Sequence, residues 1–285
     1  MITEHAYAKL NLSLEVLGQR ADGYHDLVSV MQLIELHDTL VFNRADELEV
    51  ECDDADLAAV KEANLVWRAA RLLQDSAGVR AGARIVLWKR IPMSAGMGGG
   101  SSDAAATLRG LARLWGLKLR ADEMHYLAAL LGSDVPFLLG GPAALVEGRG
   151  EIITALSSIP PAWVVLVCPS YNLPNKTRQL YANLEPGDMA NGDRARRLVA
   201  AISKGKFPTP DMLHNAFERA AHKVFEGLEE VQKRMSEVGG RAAHLSGSGP
   251  TLYTLFPEAQ ESQARKLCNT LQAEGLPAAI TRTVT

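Results

Sequence analysis

Ile91-Pro-Met-Ser-Ala-Gly-Met-Gly-Gly-Gly-Ser-Ser-Asp-Ala104 is the stretch that says most about the fold. An apolar run at residues 85–88 predicts a strand before it, and a helical periodicity at residues 104–115 predicts a helix after it. The side chains that would keep an anion off the backbone are missing at Gly96, Gly98, Gly99 and Gly100. Ser101 and Ser102 are expected to cap the helix, whose first N–H groups lack partners within it. Free N–H groups at the positive end of a helix dipole bind phosphate, so we expect a phosphorylated ligand, with ATP as the leading candidate.

This glycine-rich loop (residues 92–102) fits neither of the commonest nucleotide-binding motifs. A Walker A loop needs Gly-Lys-Ser/Thr, and no lysine lies between Arg90 and Lys118. The dinucleotide-binding pattern needs a third glycine where Ser101 stands. The alternative is a flexible loop that merely precedes a capped helix. Four glycines and two serines at one strand-to-helix joint exceed what a turn requires, which favours phosphate binding.

Length and composition set bounds on the class of protein. A chain of 285 residues holds one large domain or two ordinary ones, and 47% hydrophobic with 22% charged residues is enough for a core. The net charge of −3, without a long run of one sign, argues against a dedicated nucleic-acid binder. Cys52, Cys168 and Cys268 are widely spaced and give neither a metal spacing nor a disulfide framework. We therefore expect a reducing, cytoplasmic setting.

No membrane partner is expected from the sequence. The N-terminal residues lack the basic start and apolar core of a signal peptide. No apolar run approaches the roughly 18 residues of a membrane span. The sequence leaves monomer and homodimer equally open.

The order of elements predicts a mixed α+β protein without regular strand–helix alternation. Residues 9–16 alternate polar and apolar side chains, which predicts a strand with one buried face and puts Lys9 and Asn11 on the other. Residues 28–36 and 39–51 read as two further strands, and residues 210–237 as one helix. A turn-rich stretch at residues 157–161 predicts a boundary between domains 1–158 and 159–285.

Four segments together resemble the GHMP kinase superfamily, which includes galacto-, homoserine, mevalonate and phosphomevalonate kinases. Residues 92–102 look like its phosphate loop, and Ala243-His-Leu-Ser-Gly-Ser-Gly-Pro250 looks like its C-terminal glycine motif. Ala8-Lys-Leu-Asn-Leu-Ser-Leu14 with Arg20-Ala-Asp-Gly-Tyr-His25, and Leu131-Gly-Ser-Asp-Val-Pro-Phe137, resemble the members with a cytidine-containing substrate. The resemblance implies a two-domain GHMP kinase fold, with an N-terminal domain like ribosomal protein S5 domain 2 and a ferredoxin-like C-terminal domain.

The resemblance implies ATP-dependent phosphorylation of the 2-hydroxyl of 4-diphosphocytidyl-2-C-methyl-D-erythritol, a step of the non-mevalonate isoprenoid pathway. Another GHMP kinase, of the homoserine or mevalonate type, is the first alternative. Asp22-Gly-Tyr-His25 counts against it, because a loop that stacks on cytidine has no purpose there. A ligand sensor or nucleic-acid-binding protein on the same fold is a third hypothesis, and the acidic charge balance counts against it.

Two residues match the family's catalytic pair. Asp134 is the candidate general base, which would orient the acceptor hydroxyl and take its proton. Lys9 matches the catalytic lysine and would lower the pKa of that aspartate and of the alcohol while holding a γ-phosphate oxygen. The alternatives are that Asp134 caps its own turn and that Lys9 is a solvated strand residue.

Four residues are expected to contact the cytidine substrate. In the family, the Tyr24 ring stacks on cytosine and His25 hydrogen-bonds the base edge. Asn11 shares a strand face with Lys9 and should contact polar groups of the substrate. Thr177 lies where the family has a threonine near the cytidine pocket, with a helix cap as its alternative role. The preceding residues, 171–176, look different from the usual family segment.

The nucleotide contacts are carried over from the phosphate loop and the start of a helix. For ATP they are Pro92, Met93, Ser94, Ala95, Gly96, Met97, Gly98, Gly99, Gly100, Ser101, Ser102, Asn64 and Leu65. Asn64 has a plain N-cap as its equally good alternative. Mg²⁺ is implied by the reaction, with Ser102 as a possible ligand. The turn at residues 246–250 either shapes the phosphate site or is an ordinary hairpin turn, and Asn215-Ala-Phe-Glu218 is given no catalytic role.

Overall fold

A computed structural model describes residues 1–55, 57, 64–171 and 173–285. Its strands are β1 Ile2–Gln19, β2 His25–Ala45, β3 Leu48–Cys52, β4 Gly82–Trp88, β5 Ala143–Gly148, β6 Ile152–Leu156, β7 Ala162–Val167, β8 His214–Asn215, β9 His244–Leu245, β10 Leu252–Pro257 and β11 Ala278–Arg282. Its helices are α1 Leu65–Ala77, α2 Gly99–Trp115, α3 Ala121–Leu131, α4 Val135–Leu138, α5 Lys176–Ala182, α6 Asp193–Ile202, α7 Glu218–Val224, α8 Leu228–Gly239 and α9 Glu261–Ala273. Within these ranges, no helix is both long and apolar enough to cross a bilayer.

The chain forms two compact units that are interleaved along the sequence. The first unit contains residues 1–8, 36–93 and 98–140, and the second contains residues 9–35, 94–97 and 141–285. Strands β1 and β2 contribute residues to both units.

In the first unit, a small sheet carries a layer of helices. Strand β4 pairs in parallel with β3 and antiparallel with residues 39–45 of β2. Helix α2 packs against α1 and α4 through a face of small and apolar residues that includes Ala104, Ala105 and Leu108. Because alanines dominate the start of this face, the first turns of α2 can approach the neighbouring elements closely.

In the second unit, a four-stranded sheet has the order β11-β7-β10-β9. Strand β7 lies between β11 and β10 and is antiparallel to both. Helix α9 packs on this sheet, and residues such as Val165, Phe256 and Leu267 fill the core between them. Elsewhere in the unit, β5 pairs with residues 27–32 of β2, and β8 pairs in parallel with residues 13–14 of β1. The predicted α+β class is confirmed.

Three element predictions are wrong, each for a tertiary reason. Strand β1 is buried on both faces along residues 8–16, not on one. The two strands predicted at residues 28–36 and 39–51 are one long strand, β2, followed by the separate β3. The helix predicted at residues 210–237 is interrupted by β8 and by Gly227, whose φ of 78° precedes α8. Pairing of β8 with β1 satisfies backbone groups that helical periodicity would have assigned to a helix.

Candidate active site

The glycine-rich loop meets helix α2 in the first unit through a glycine cap. Gly98 is the N-cap with a φ of 72°, and α2 starts at Gly99. Ser101 and Ser102 therefore lie inside the first turn, so the prediction that they cap the helix is wrong. A left-handed φ favours glycine over serine at the cap. With no side-chain cap and no acidic residue in the first turn, this helix start is suited to an anion.

Both serines have defined surroundings within the first unit. Ser102 is 2% exposed, and its Oγ donates a hydrogen bond of 2.7 Å to the carbonyl of Tyr7. Ser101 Oγ lies 4.0 Å from the position that a Cβ on Gly132 would occupy. The start of α2 therefore lies beside β1 and beside the segment that leads to Asp134.

Asp134 precedes the short helix α4 without capping it. It occupies the N-cap position with φ −83° and ψ −17°, and its side chain makes no capping hydrogen bond. The alternative that Asp134 serves as the cap of its turn is therefore wrong. The residue is half-buried, and its carbonyl accepts the Leu138 N–H at 3.3 Å, which fixes the backbone from which the carboxylate extends.

Asn64 and Leu65 begin helix α1 beside the same loop. Asn64 Oδ1 accepts the Val66 N–H at 2.9 Å, which confirms its role as an N-cap. Leu65 Cδ1 lies 3.4 Å from the position of a Cβ on Gly100. An apolar side chain thus lies against the glycine-rich loop.

A buried charge cluster lies beside the loop, and it was not predicted from the sequence. It consists of Asp38, Lys89 and Asp103, whose side chains are 0%, 9% and 3% exposed. Lys89 Nζ pairs with Asp38 and lies 2.7 Å from Asp103. Asp38 also accepts the Arg90 N–H and, at 2.8 Å, the Ile91 N–H. The cluster ties the end of β4 to the first turn of α2, on either side of the glycines.

Burial and charge act in opposite directions on the two groups of this cluster whose pKa is shifted: the two carboxylates raise the pKa of Lys89 despite its burial. Burial raises the pKa of Asp103, Lys89 lowers it and Asp38 raises it, with a net upward shift. Asp103 Oδ1 is buried and has no hydrogen-bond partner among the described residues. The sequence contains one indication of this cluster, because Asp103 directly follows the two serines of the glycine-rich loop.

In the second unit, Lys9 and Asn11 form a buried hydrogen-bonded pair. Lys9 Nζ donates to Asn11 Oδ1 at 2.5 Å, and Asn11 Nδ2 donates to Ser29 Oγ at 2.8 Å. Ser29 Oγ in turn donates to the Ser13 carbonyl at 2.6 Å. The exposed fractions of Lys9 and Asn11 are 3% and 1%, so the alternative of a solvated strand lysine is wrong.

Two glycine-containing segments of the second unit meet backbone to backbone at Lys9. A Cβ on Gly247, where φ is 53°, would lie 3.1 Å from Lys9 Nζ and 2.8 Å from the Gly96 carbonyl. A Cβ on Gly96, where φ is 82°, would lie 2.3 Å from the Ser246 carbonyl. The Lys9 N–H donates to the Met97 carbonyl at 2.9 Å. The glycine turn (residues 246–250) is therefore more than a hairpin connection, because its backbone covers the Lys9 ammonium.

Asn215 and Glu218 hold the glycine turn in position. Asn215 Nδ2 donates to the carbonyls of Leu245 and Gly247 at 2.9 and 2.8 Å. Glu218 Oε1 accepts the Leu245 N–H at 3.1 Å. This Asn-x-x-Glu segment was predicted from the sequence to have no catalytic role, and its positioning role was not predicted, although its two polar ends were the signal that could have found it.

An aromatic group forms around the loop between β1 and β2. Tyr24 is 58% exposed, with the Arg149 guanidinium 4.7 Å from its ring centroid. His25 stacks on Tyr181, with 4.6 Å between ring centroids and 20° between planes. Tyr181, on α5, was missed by the sequence analysis because nothing in the sequence near it points to the β1–β2 loop.

Thr177 and Lys176 stand at the start of α5. Asn175 is the N-cap, so Thr177 is the exposed second residue of the helix and the alternative of a helix cap is wrong. Lys176 Nζ donates to the Gly249 carbonyl and lies 3.5 Å from that of Ser248. Burial, and secondly the charge of Lys9, lower the pKa of Lys176 to about 8. Nothing in the sequence around Lys176 marked it as a site residue.

Each unit therefore gathers its own part of the predicted site. The first brings together Asn64, Leu65, Gly98, Gly99, Gly100, Ser101, Ser102 and the segment of Asp134. The second brings together Lys9, Asn11, the loop residues 94–97 and the glycine turn. Asp134 belongs to the first unit and Lys9 to the second, so their pairing stays a prediction.

Comparisons with known proteins identify the family of this chain. Residues 64–141 match the model of the GHMP kinase N-terminal domain, and residues 208–273 match that of the GHMP kinase C-terminal domain. A 4-diphosphocytidyl-2-C-methyl-D-erythritol kinase of Dehalococcoides mccartyi is 38% identical, over 100% of this chain and 99% of its own. One from Pelotomaculum thermopropionicum is 43% identical over 92% of each chain.

A solved structure gives the same result in three dimensions. The crystal structure of a 4-(cytidine 5'-diphospho)-2C-methyl-D-erythritol kinase superposes with a TM-score of 0.84 and 33% identity, covering 100% of both chains. The resemblance read from the sequence motifs is confirmed. This chain belongs to the GHMP kinase family, in which it groups with the 4-diphosphocytidyl-2-C-methyl-D-erythritol kinases.

Proposed function

We propose that this protein uses ATP to phosphorylate the 2-hydroxyl of 4-diphosphocytidyl-2-C-methyl-D-erythritol, in the non-mevalonate route to isoprenoid precursors. The observation that carries the proposal is that relatives named for that activity are 38% and 43% identical to this chain over 100% and 92% of its length. The exposed Tyr24 and the His25–Tyr181 stack support the cytidine-containing substrate over homoserine or mevalonate. An aromatic group of this kind is suited to a nucleobase.

Phosphoryl transfer requires positioning, charge stabilisation and a destination for one proton. The substrate hydroxyl oxygen attacks the γ-phosphorus, the bond to the bridging oxygen of the β-phosphate breaks, and ADP leaves. In our proposal the Asp134 carboxylate orients the hydroxyl and takes its proton. Lys9 stabilises the negative charge on the transferring group. Its hydrogen bond to Asn11 supports this role, because it fixes the direction of a flexible ammonium group.

ATP would bind along the glycine-rich loop. The uncapped start of α2 would receive phosphate oxygens on the N–H groups of Gly99, Gly100 and Ser101. The remaining loop residues, 92–97, would line the path of the phosphates. Leu65 would contact the adenine, with Asn64 holding the start of α1 in place.

Mg²⁺ is part of the proposal, with a small contribution from the protein. No group of three or more His, Cys, Asp or Glu side chains among the described residues could hold a metal ion. Mg²⁺ at a nucleotide is bound mainly by phosphate oxygens and water, with only one or two protein oxygens. Ser102 is the candidate protein ligand, since its hydroxyl donates to Tyr7 and keeps its lone pairs. When bound, the ion would neutralise charge on the phosphates.

The cytosine would be recognised in the second unit. We assign stacking to the Tyr24 ring and hydrogen bonding of the base edge to His25, whose ring plane is held by Tyr181. Asn11 and the exposed Thr177 are retained as contacts to polar groups of the substrate. Stacking of one base on an aromatic side chain contributes roughly 1–3 kcal/mol.

Three expectations about the domain division, the cellular setting and the oligomeric state accompany the proposed activity. The division into domains 1–158 and 159–285 is retained, since the two matched family models lie on either side of it. A reducing, cytoplasmic setting is retained because all three cysteines, Cys52, Cys168 and Cys268, are free thiols. Monomer and homodimer both remain compatible with the proposal.

The test is an ADP-release assay with Mg²⁺-ATP and three alcohols: 4-diphosphocytidyl-2-C-methyl-D-erythritol, homoserine and mevalonate. We expect turnover with the cytidine compound alone. Turnover with homoserine or mevalonate instead would keep the kinase and reject the substrate. Absent turnover combined with a salt-sensitive gel shift on RNA would reject the kinase in favour of nucleic-acid binding.

A further inference from the structure

Lys176 is a cation at the glycine turn that neither the family motifs nor the proposed reaction uses. Its ammonium donates to the Gly249 carbonyl and approaches that of Ser248. These contacts hold the group at the turn, with neutral carbonyl oxygens as its partners.

Lys176 has neutral hydrogen-bond partners and a cationic neighbour. Among the described residues, no carboxylate forms an ion pair with it, whereas the half-buried Arg219 pairs with Asp188 and the half-buried Arg282 pairs with Glu258. The charged neighbour that affects its pKa is Lys9, a second cation. A half-buried ammonium group beside a second cation is disfavoured in its charged form, and an anion bound to Lys176 would offset that cost.

Lys176 and Lys9 border the same pair of glycine segments. The Gly249 carbonyl, which accepts from Lys176, lies 2.9 Å from the position of a Cβ on Gly96. Gly247, two residues earlier in the turn, approaches both Gly96 and Lys9. The two ammonium groups therefore border one small region of the second unit, which is formed by the backbone of the two glycine segments.

We propose that Lys176 binds phosphate oxygens of a ligand at the glycine turn, and so contributes to substrate affinity alongside Lys9. The naming of that ligand rests on the proposed function. Its phosphate is either the diphosphate of the cytidine substrate or the terminal phosphates of ATP. The competing explanation is that Lys176 only ties α5 to the turn through its carbonyl contacts.

The experiment uses three variants of the full chain and four ligands. Lys176→Met removes the charge and keeps the length of the stem, and Lys176→Arg keeps the charge. Lys206→Met is the matched control, because Lys206 is an exposed lysine of the same unit. Isothermal titration calorimetry measures binding of inorganic pyrophosphate, cytidine 5'-diphosphate, a non-hydrolysable ATP analogue and cytidine.

We expect Lys176→Met to weaken pyrophosphate and either cytidine 5'-diphosphate or the ATP analogue by about ten- to a hundredfold, the range for a hydrogen bond to a charged group. Cytidine should bind as it does to the unaltered protein, and Lys176→Arg should recover most of the affinity. The nucleotide whose binding affinity falls in Lys176→Met identifies the source of the phosphate. Lys206→Met should leave all four affinities within twofold of the unaltered protein.

Two results would overturn the proposal. One is unchanged binding of all three phosphate ligands to Lys176→Met. The other is an equal loss for cytidine and the phosphate ligands together with a lower melting temperature, which is what a purely structural role predicts. A failure of the proposed function would be seen separately, as absent turnover in the unaltered protein. The pyrophosphate titration would still test whether Lys176 binds phosphate.

Discussion

Replacement of Lys89 by methionine tests whether the buried charge cluster holds the glycine-rich loop. Lys89 is the single cation between two carboxylates, Asp38 and Asp103, which are almost completely buried. Methionine fills a similar volume but leaves both carboxylates without their ion pair. Removal of one partner from a buried ion pair typically costs about 3–5 kcal/mol. For a chain of this size that corresponds to a fall in Tm of roughly 6–20 °C.

The assay is differential scanning calorimetry at pH 7.5 and pH 5.5, with Lys118→Met as the control. Lys118 is an exposed lysine of the same unit, and its loss should change stability by no more than about 0.5 kcal/mol. We also expect the KM for ATP to rise in Lys89→Met, because Asp38 and Lys89 fix the two ends of the loop.

The pH dependence has a defined sign. The pKa of Asp103 is raised in the folded state, so between its unfolded and folded pKa values the folded protein binds more protons. The contribution of this group to stability therefore increases as the pH falls. Without Lys89 the pKa should rise further, so the deficit of Lys89→Met should shrink at pH 5.5. A variant as stable as Lys118→Met, or a deficit that grows at low pH, would refute the reasoning.

Three further predictions concern the site itself. Asp134→Asn should lower kcat by about a hundred- to ten-thousandfold with an unchanged Tm, the range for a lost proton-transfer group. Lys9→Ala should lower kcat by about a hundred- to a thousandfold through loss of charge stabilisation, and calorimetry checks that the variant is folded because Lys9 is buried beside Asn11. Near-normal kcat in either variant would remove that residue from the mechanism. Tyr24→Ala should raise the KM for the cytidine substrate by roughly 5- to 150-fold, the equivalent of one stacking contact, with little change in the KM for ATP; equal losses for both substrates would contradict base recognition. Gly247→Ala forces a left-handed φ on alanine at a cost of about 1–2 kcal/mol and pushes against Lys9, so we expect kcat to fall by more than this loss of stability would explain. Gly141→Ala, which meets nothing within 4 Å, should match the unaltered protein in kcat and in stability. Equal kcat for the two variants would show that the turn does not touch the chemistry.

Local patterns in the chain were sufficient for much of the fold. The strand at β4 and the helix at α2 follow from an apolar run, a glycine-rich joint and a helical periodicity. Asn64 was correctly predicted as an N-cap, because capping depends on contacts within three residues. Ser101 and Ser102 were wrongly predicted as caps, since the choice between a serine and a glycine cap depends on the φ that the preceding loop imposes.

Contacts between distant residues could not be read in the same way. Asn215 bonds to Gly247 across 32 positions, and Lys176 bonds to Gly249 across 73. Periodicity carries no information about such pairs, because it reports only which face of an element a residue occupies. The burial of Lys9 illustrates this limit: its strand was predicted correctly, but the glycine turn that covers it comes from the far end of the chain.

The sequence by itself determined the α+β class, the glycine-rich loop, the kinase family and the residue types that the reaction needs. Those features depend on short segments, in which residues that are close in the sequence determine the local structure and chemistry. Only the tertiary structure decided that Asn215 and Glu218 hold the glycine turn, that Tyr181 stacks on His25, and that Lys176 comes to the turn beside Lys9. These arrangements depend on which backbone groups and side chains meet when strands pair and the core packs, and that packing is a property of the whole unit.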